Sequence, residues 1–163
     1  MKIKVLITGG TIDDLDYSKD EDAPVNHKSL IPELLKQARI TADYTVEILM
    51  QKDSRVIKEE DRQLMLESCK NTPEERIIIT HGTFTMPATA KYLGNAKLDK
   101  TIVLFGAAVP ANKDKSDAFF NLGTAFIACQ LLPKGVFISM NGKIFNYDNV
   151  RKDFPTGTFQ EEY

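Results

Sequence analysis

Short apolar stretches rich in β-branched residues recur along the chain and predict buried strands. Two of them, residues 77–79 and 102–105, contain no polar residue at all. Uninterrupted apolar runs of this length are typical of strands that are covered on both faces, as in a parallel sheet. The predicted strands span residues 3–7, 44–50, 76–80, 101–105 and 135–140.

Segments with helical spacing of apolar residues lie between these strands. Leu30, Leu34 and Ala38 illustrate the spacing in the first segment, and Pro32 stands in its first turn, where a missing N–H is tolerated. The predicted helices span residues 29–39, 58–70, 85–93 and 117–131. Alternating strands and helices predict one doubly wound α/β domain over residues 1–163. Its mostly parallel sheet has about five strands with helices on both faces.

The charge balance argues against a nucleic-acid partner. The 163 residues include 21 Lys and Arg and 23 Asp and Glu, which gives a net charge of −2. Nucleic-acid-binding domains usually carry a basic face and a high isoelectric point. The N-terminal apolar stretch is too short for a signal peptide, and no run is as long as a membrane span. We therefore expect a cytoplasmic protein that has no membrane partner. Two isolated cysteines make neither a disulfide framework nor a zinc site.

Two glycine-rich turns, each carrying a threonine, follow predicted strands. Residues 8–12 contain Thr11, and residues 80–86 contain Thr83. The carboxyl ends of parallel strands meet at one edge of a sheet, so we expect both threonines to face one cleft. Glycines let backbone N–H groups approach a ligand closely. A helix that begins after Phe84 would also point its N–H groups at the cleft, which favours an anion or oxyanion.

Nucleotide and calcium binding are the alternatives suggested by this region, and the sequence disfavours both. Residues 8–12 fit neither G-x-G-x-x-G nor the Walker pattern with its lysine. Asp13, Asp14 and Asp16 would repel a phosphate in the absence of a metal. Residues 13–22 contain six acidic residues and one lysine, but they lack the spacing and the central glycine of an EF-hand. We predict a solvated mobile loop there.

Two motifs resemble the signatures of bacterial-type L-asparaginases. They are Ile-Thr-Gly-Gly-Thr-Ile at residues 7–12 and Ile-Thr-His-Gly-Thr-Phe-Thr-Met at residues 79–86. Residues 52–54 resemble the family's serine turn, residues 106–110 its Gly-Ala-x-x-Pro segment, and an ungapped count brings the family lysine to Lys152. The resemblance covers the family's N-terminal domain and implies a flavodoxin-like, Rossmann-like fold. The family's C-terminal domain is expected to be absent.

This resemblance implies amide hydrolysis through a threonine nucleophile, without a metal or organic cofactor. Thr11 would be the nucleophile, and Thr83 with Lys152 would assist proton transfer. Tyr17 is either the tyrosine that activates the nucleophile or an exposed loop residue. The implied substrate-binding residues are Gly10, Asp53, Ser54, Gly82, Phe84 and Ala107.

Ser54 would hold the α-carboxylate of the substrate, although Asp53 and Ser54 are also residue types that cap a following helix. His81 is predicted to be structural and to hold its turn by hydrogen bonds. Asp117 is predicted to cap or order the turn after the fourth strand. Family members are usually homo-oligomers, so the resemblance implies a homodimer.

Phe84 departs from the family pattern, which has an aspartate in Gly-Thr-Asp-Thr. The aspartate relays a proton with the threonine and lysine and pairs with the substrate's α-ammonium, and a phenyl ring can do neither. An unpaired ammonium is costly to bury. The sequence therefore supports two hypotheses. One is an amidohydrolase that releases ammonia from a small side-chain amide without a free α-amine. The other is a weak or inactive relative that binds a small carboxylate, an amide or a protein partner.

Overall fold

A computed structural model describes residues 1–14 and 28–163 of the chain. Its strands are β1 (Lys2–Ile7), β2 (Asp43–Ile48), β3 (Arg76–Thr80), β4 (Thr101–Phe105), β5 (Gly135–Met140), β6 (Lys143–Asn146), β7 (Arg151–Asp153) and β8 (Thr158–Gln160). Its α-helices are α1 (Ile31–Gln37), α2 (Glu59–Asn71), α3 (Met86–Asn95) and α4 (Ala118–Leu131). Short 3-10 turns cover Thr11–Asp13 and Ser54–Val56.

The central sheet is mostly parallel, as predicted. Within the described residues it has six strands in the order β2-β1-β3-β4-β5-β6. The first five strands are parallel to their neighbours, and β6 pairs with β5 in the antiparallel direction. This order brings the carboxyl ends of β1 and β3 side by side, with Ile7 opposite Thr80 in the register.

Helices cover both faces of the sheet, which confirms the doubly wound arrangement. Successive residues of β3 point to opposite faces. Ile79 belongs to the hydrophobic core that includes Met65 of α2 and also contains residues of α3. Ile78 belongs to the core on the other face, together with Leu34 of α1 and Leu122 of α4. None of the described helices is long and apolar enough to cross a membrane.

The antiparallel strand β6 was not among the predicted strands. Asn141 and Gly142 join β5 to β6 with φ angles of +55° and +74°. Positive φ at both central residues is the geometry of a two-residue hairpin turn, for which Asn-Gly is the preferred sequence. The dipeptide is therefore the signal that could have located β6. The strand itself is a short edge strand with one buried residue, Phe145, and its hydropathy pattern is correspondingly weak.

The β7–β8 hairpin was also absent from the prediction. Within the described residues it forms a separate two-stranded sheet in which Lys152 is opposite Phe159. Phe159 is buried, its N–H donates to Asn141 Oδ1 at 2.9 Å, and its ring centroid lies 6.5 Å from that of Phe145. The hairpin is anchored to the end of the sheet by these contacts, and it carries Lys152 and Phe154.

Candidate active site

Glycines bring the turns after β1, β2 and β3 into direct contact. Gly10 has a φ of +93°, and a Cβ atom there would lie 2.5 Å from Cα of Gly82. A Cβ atom on Gly82 would in turn lie 2.6 Å from Oγ of Ser54. No other residue type fits such approaches. The turns that carry Thr11 and Thr83 therefore touch through their glycines, with the Ser54 turn beside them.

Two buried threonines that the sequence analysis passed over fix the ends of β1 and β3. Thr8 Oγ1 donates to the carbonyl oxygen of Thr80 at 2.5 Å, and Thr8 N donates to Thr80 Oγ1 at 3.2 Å. Both residues are fully buried. This reciprocal pair ties the last residues of one strand to the other, immediately before the two glycine turns.

Lys152 reaches the second threonine from the C-terminal hairpin. Its Nζ donates to Thr83 Oγ1 at 2.7 Å, and both residues are half-buried. Burial lowers the pKa of Lys152 below its ordinary value. No carboxylate of the described residues forms an ion pair with it within 4.0 Å. An amine in this situation reaches its neutral form more readily, and a neutral amine can accept a proton from a hydroxyl.

Ser54 is buried and is held by the backbone of the neighbouring turn. Its Oγ accepts hydrogen bonds from the N–H groups of Phe84 at 3.2 Å and Thr85 at 3.4 Å. Thr85 Oγ1 donates to the carbonyl oxygen of Ser54 at 2.6 Å. These hydrogen bonds of Ser54 therefore stabilise the turn that begins α3. A contact between Ser54 and the substrate stays a prediction.

Asp53 adopts the capping role that the sequence allowed. Its carboxylate accepts from Arg55 N at 2.8 Å and from Arg55 Nε at 2.9 Å, at the start of the Ser54–Val56 turn. Burial alone would raise the pKa of Asp53, but the hydrogen bonds and charge of Arg55 outweigh burial and lower it. Contact with a substrate stays a prediction for Asp53 as well.

His81 is structural, as predicted. Its Nδ1 lies 2.7 Å from the carbonyl oxygen of Gly82, which can only accept, so Nδ1 carries the proton. Its Nε2 then accepts from Thr89 Oγ1 at 2.9 Å, and Arg62 Nε donates to the same hydroxyl at 3.2 Å. Burial lowers the pKa of His81 to about 4, so the ring is neutral at pH 7. These bonds fix the carbonyl of Gly82.

The predicted solvated loop over residues 13–22 is wrong at its first residue. Asp13 is fully buried, and its Oδ1 accepts from Ser29 Oγ and Leu30 N, both at 2.8 Å. Burial raises the pKa of Asp13 despite these hydrogen bonds. The carboxylate joins the Thr11–Asp13 turn to the start of α1, a role that acidic composition alone could not indicate. Residues 15–22, and with them Tyr17, lie outside the described residues.

The turn after β4 is organised by Asp117, as predicted. The N–H groups of Ala108 and Val109 each donate to Asp117 Oδ1 at 3.0 Å. Ala107 is buried, with 1% of its surface exposed. The geometry makes this turn rigid, and a contact between Ala107 and the substrate stays a prediction.

An exposed aromatic pair stands beside the Thr83–Lys152 contact. The ring centroids of Phe84 and Phe154 lie 4.9 Å apart with an interplanar angle of 52°. Lys152 Nζ lies 5.7 Å from the centroid of the Phe154 ring. In the sequence Phe84 stands out only as a departure from a family pattern, and no motif indicates Phe154. The two are far apart along the chain, and only the β7–β8 hairpin brings them together.

The described residues contain no group of three or more His, Cys, Asp and Glu side chains that could hold a metal ion. Cys69 and Cys129 are buried, and burial raises the pKa of each thiol to about 12. Both thiols therefore stay protonated at neutral pH and are unsuited to nucleophilic chemistry.

The comparisons with known proteins agree on one family. The family model for the N-terminal domain of asparaginase matches residues 2–159 of this chain. A probable periplasmic L-asparaginase of Haemophilus influenzae is 30% identical over 94% of this chain and 47% of its own length. A glutamyl-tRNA(Gln) amidotransferase subunit of Methanococcus vannielii is 32% identical over 87% of this chain and 34% of its own length.

A solved structure shares the fold of this chain. The thermostable L-asparaginase from Thermococcus kodakarensis superposes with a TM-score of 0.84 at 27% identity, over 99% of this chain and 51% of that one. The chain thus spans about half the length, or less, of the relatives that it matches.

Proposed function

Because this chain belongs to the asparaginase family through that family's N-terminal domain, we propose that it is an amidohydrolase that releases ammonia from a small side-chain amide. The observation that carries the proposal is the 2.7 Å hydrogen bond between Lys152 and Thr83, formed beside the turn that holds Thr11. A hydroxyl paired with an amine of lowered pKa can relay the proton that a nucleophilic hydroxyl loses in amide hydrolysis.

In the proposed reaction, Thr11 is the nucleophile. Its exposed hydroxyl oxygen attacks the carbonyl carbon of the amide, and its proton passes towards Thr83 and Lys152. The proton returns to the amide nitrogen as the C–N bond breaks, and ammonia leaves. A water molecule then adds to the acyl carbon, and one of its protons passes to Thr11 Oγ1 as the C–O bond to Thr11 breaks. The acid product leaves and the Thr11 hydroxyl is regenerated.

Backbone donors at the glycine turns support the developing negative charge. The close contact of Gly10 with Gly82 brings the backbones of the two turns together, and their N–H groups are the proposed donors to the carbonyl oxygen. In well-studied hydrolases one such donor contributes about 3–4 kcal/mol to transition-state stabilisation. The hydrogen bonds of His81 and Ser54 keep this backbone in place before the substrate arrives. A role for Tyr17 in activating Thr11 stays a prediction.

Phe84 restricts the substrate. It stands where the sequence resemblance expects an aspartate, and its ring, 48% exposed, faces Phe154. A ring there cannot pair with an α-ammonium, so we propose an amide that lacks a free α-amine. The second hypothesis, a protein that binds a small carboxylate without turnover, is favoured by Lys152, whose charge has no carboxylate partner among residues 1–14 and 28–163.

Ammonia release from purified protein separates the two hypotheses. The panel contains L-asparagine, L-glutamine, succinamic acid and Nα-acetyl-L-asparagine, tested with the native chain and with Thr11→Ala. The matched control is Thr41→Ala, an exposed threonine just before β2, at the opposite edge of the sheet. We expect release from the amides without a free α-amine, retained in Thr41→Ala and lost in Thr11→Ala. Binding without release would support the second hypothesis.

A homodimer and a cytoplasmic location are further proposals. The family resemblance supports the dimer, and light scattering coupled to gel filtration tests it. The relative from Haemophilus influenzae is named as periplasmic, so fractionation of the source cells is needed to test the location.

A further inference from the structure

The aromatic pair is the feature that the proposed reaction leaves unused. Phe84 is 48% exposed and Phe154 is 58% exposed, although phenyl rings are among the side chains that gain most from burial. Phe84 directly follows Thr83, and Phe154 lies two residues after Lys152. The rings therefore adjoin the two groups proposed to move the proton.

The aromatic pair is held in place by ordered structure on both sides. The N–H of Phe84 donates to Ser54 Oγ at 3.2 Å. Phe154 lies in the turn of the β7–β8 hairpin, which is closed by a hydrogen bond from Gly157 N to the carbonyl oxygen of Asp153 at 2.8 Å. A ring surface whose backbone is fixed loses little conformational entropy when a ligand binds.

The charged groups near the aromatic pair do not favour a cationic ligand. Lys152 Nζ lies 5.7 Å from the Phe154 centroid. Asp153, next to Phe154, accepts from the hydroxyl of Thr156, and Asp53, next to Ser54, is bound to Arg55. The site thus presents an apolar surface beside the amine of Lys152, which suits an apolar group that carries no positive charge.

The size of the surface favours a small ligand over a protein. A stable protein interface buries about 800 Å² on each partner, far more than two neighbouring rings present. One further aromatic ring can cover both and adopt the tilted or offset geometry that aromatic groups prefer.

We propose that Phe84 and Phe154 form an aromatic platform that binds an apolar, preferably aromatic, group of the amide substrate. This inference deepens the proposed function and rests on it for the identity of the ligand as a substrate. The platform selects N-acylated or otherwise amine-free amides with a ring positioned over Phe84 and Phe154.

Binding of two acid products tests the platform without any turnover. Nα-benzyloxycarbonyl-L-aspartate and Nα-acetyl-L-aspartate both lack an α-ammonium, and only the first carries a ring. We expect isothermal titration calorimetry on the native chain to give an affinity about tenfold higher for the first. Phe154→Ala and Phe84→Leu should each reduce this preference to less than about threefold. Equal affinities in the native chain, or no binding of either acid, would overturn the inference.

Phe120→Ala is the matched control, because Phe120 is an equally exposed ring on α4 that lies against Gly142 rather than in the site. It should keep the tenfold preference. A preference that Phe120→Ala abolishes as fully as Phe154→Ala would also overturn the inference. The platform and the reaction can fail separately. A ring preference without ammonia release would contradict the proposed function and leave the platform supported. Ammonia release without a ring preference would contradict the platform and leave the proposed function supported.

Discussion

Lys152 donates a hydrogen bond to Thr83 across 69 positions of the chain, with Nζ 2.7 Å from Oγ1. The contact depends on the β7–β8 hairpin, which packs against the end of the sheet through Phe159. Burial lowers the pKa of the lysine, and no ion pair with a described carboxylate raises it again. The pair therefore joins a hydroxyl to an amine that loses its proton more readily than an ordinary lysine.

Replacing Lys152 distinguishes a base from a fixed charge. Lys152→Met removes both properties, whereas Lys152→Arg keeps the charge but cannot be deprotonated at accessible pH. If Lys152 accepts a proton, ammonia release should fall by about 10²- to 10⁴-fold in both variants. Initial rates with the best amide of the panel measure this. Near-native rates in Lys152→Arg would contradict a base and indicate electrostatic assistance.

The pH dependence of ammonia release should report the lowered pKa of Lys152. The neutral amine forms as pH rises through this pKa, so the rate should increase with pH over a range below the ordinary value of 10.5. A carboxylate at position 84 would favour the ammonium and raise the pKa of Lys152. Phe84→Asp should therefore shift the rising part of the pH–rate profile to higher pH by about one unit, compared with Phe84→Asn, whose side chain has the shape of aspartate but no charge. Superimposable pH–rate profiles in these two variants would contradict the assignment of this titration to Lys152.

The parallel strands could be predicted from the sequence because each is apolar enough to indicate a buried strand. The structure confirms them. The run over residues 101–105 predicts β4 at its observed bounds, Thr101–Phe105, all of it buried. The β7–β8 hairpin could not be predicted in this way. It consists of two three-residue strands, Arg151–Asp153 and Thr158–Gln160, in which only Phe159 is buried. The hairpin is held by tertiary contacts of Phe159 with Asn141 and Phe145.

The same distinction applies to the candidate site. The turns with Thr11 and Thr83 can be located from glycine chemistry and strand ends alone. Phe154 could not be located, because its partner Phe84 is distant in sequence and no local pattern joins them. Asp13 was misjudged because a cluster of acidic residues usually indicates a solvated loop, whereas here one carboxylate is buried against Ser29.

The contact between the two glycine turns should tolerate no side chain. Gly10→Ala would place a Cβ atom 2.5 Å from Gly82 at a φ of +93°. We expect it to destabilise the protein by about 1–3 kcal/mol and to abolish ammonia release. Gly123→Ala on α4 is the control, because its Cβ atom would meet nothing within 4 Å. It should stabilise the protein by about 0.5–1 kcal/mol. Thermal denaturation measures both, and a stable Gly10→Ala variant would contradict the close approach.

Ser54 should contribute to stability whether or not it binds a substrate. Ser54→Ala removes the acceptor for the N–H groups of Phe84 and Thr85. Both N–H groups are partly buried, and a buried donor left without a partner costs about 1–3 kcal/mol, so we expect a loss of about 1 kcal/mol. Urea denaturation should show a loss of this size, while Ser68→Ala within α2 should change stability little, because alanine is a good helix former. Unchanged stability in Ser54→Ala would mean that water replaces the hydroxyl.

His81 should make the protein sensitive to acid. Burial lowers its pKa in the folded state to about 4 from an ordinary value of 6.5. Between these values the unfolded chain binds the extra proton and the folded chain does not, so stability falls as pH falls from 6.5 and the loss is complete below about 4. The difference corresponds to about 3 kcal/mol. His81→Asn and His81→Gln remove this titration and leave the other groups in place. Urea denaturation at pH 7 and pH 4 should therefore show a smaller loss in both variants than in the native chain, even though each is less stable at pH 7. Equal losses in all three proteins would mean that the pKa of His81 is not lowered in the folded state, which its burial and the charge of Arg62 oppose.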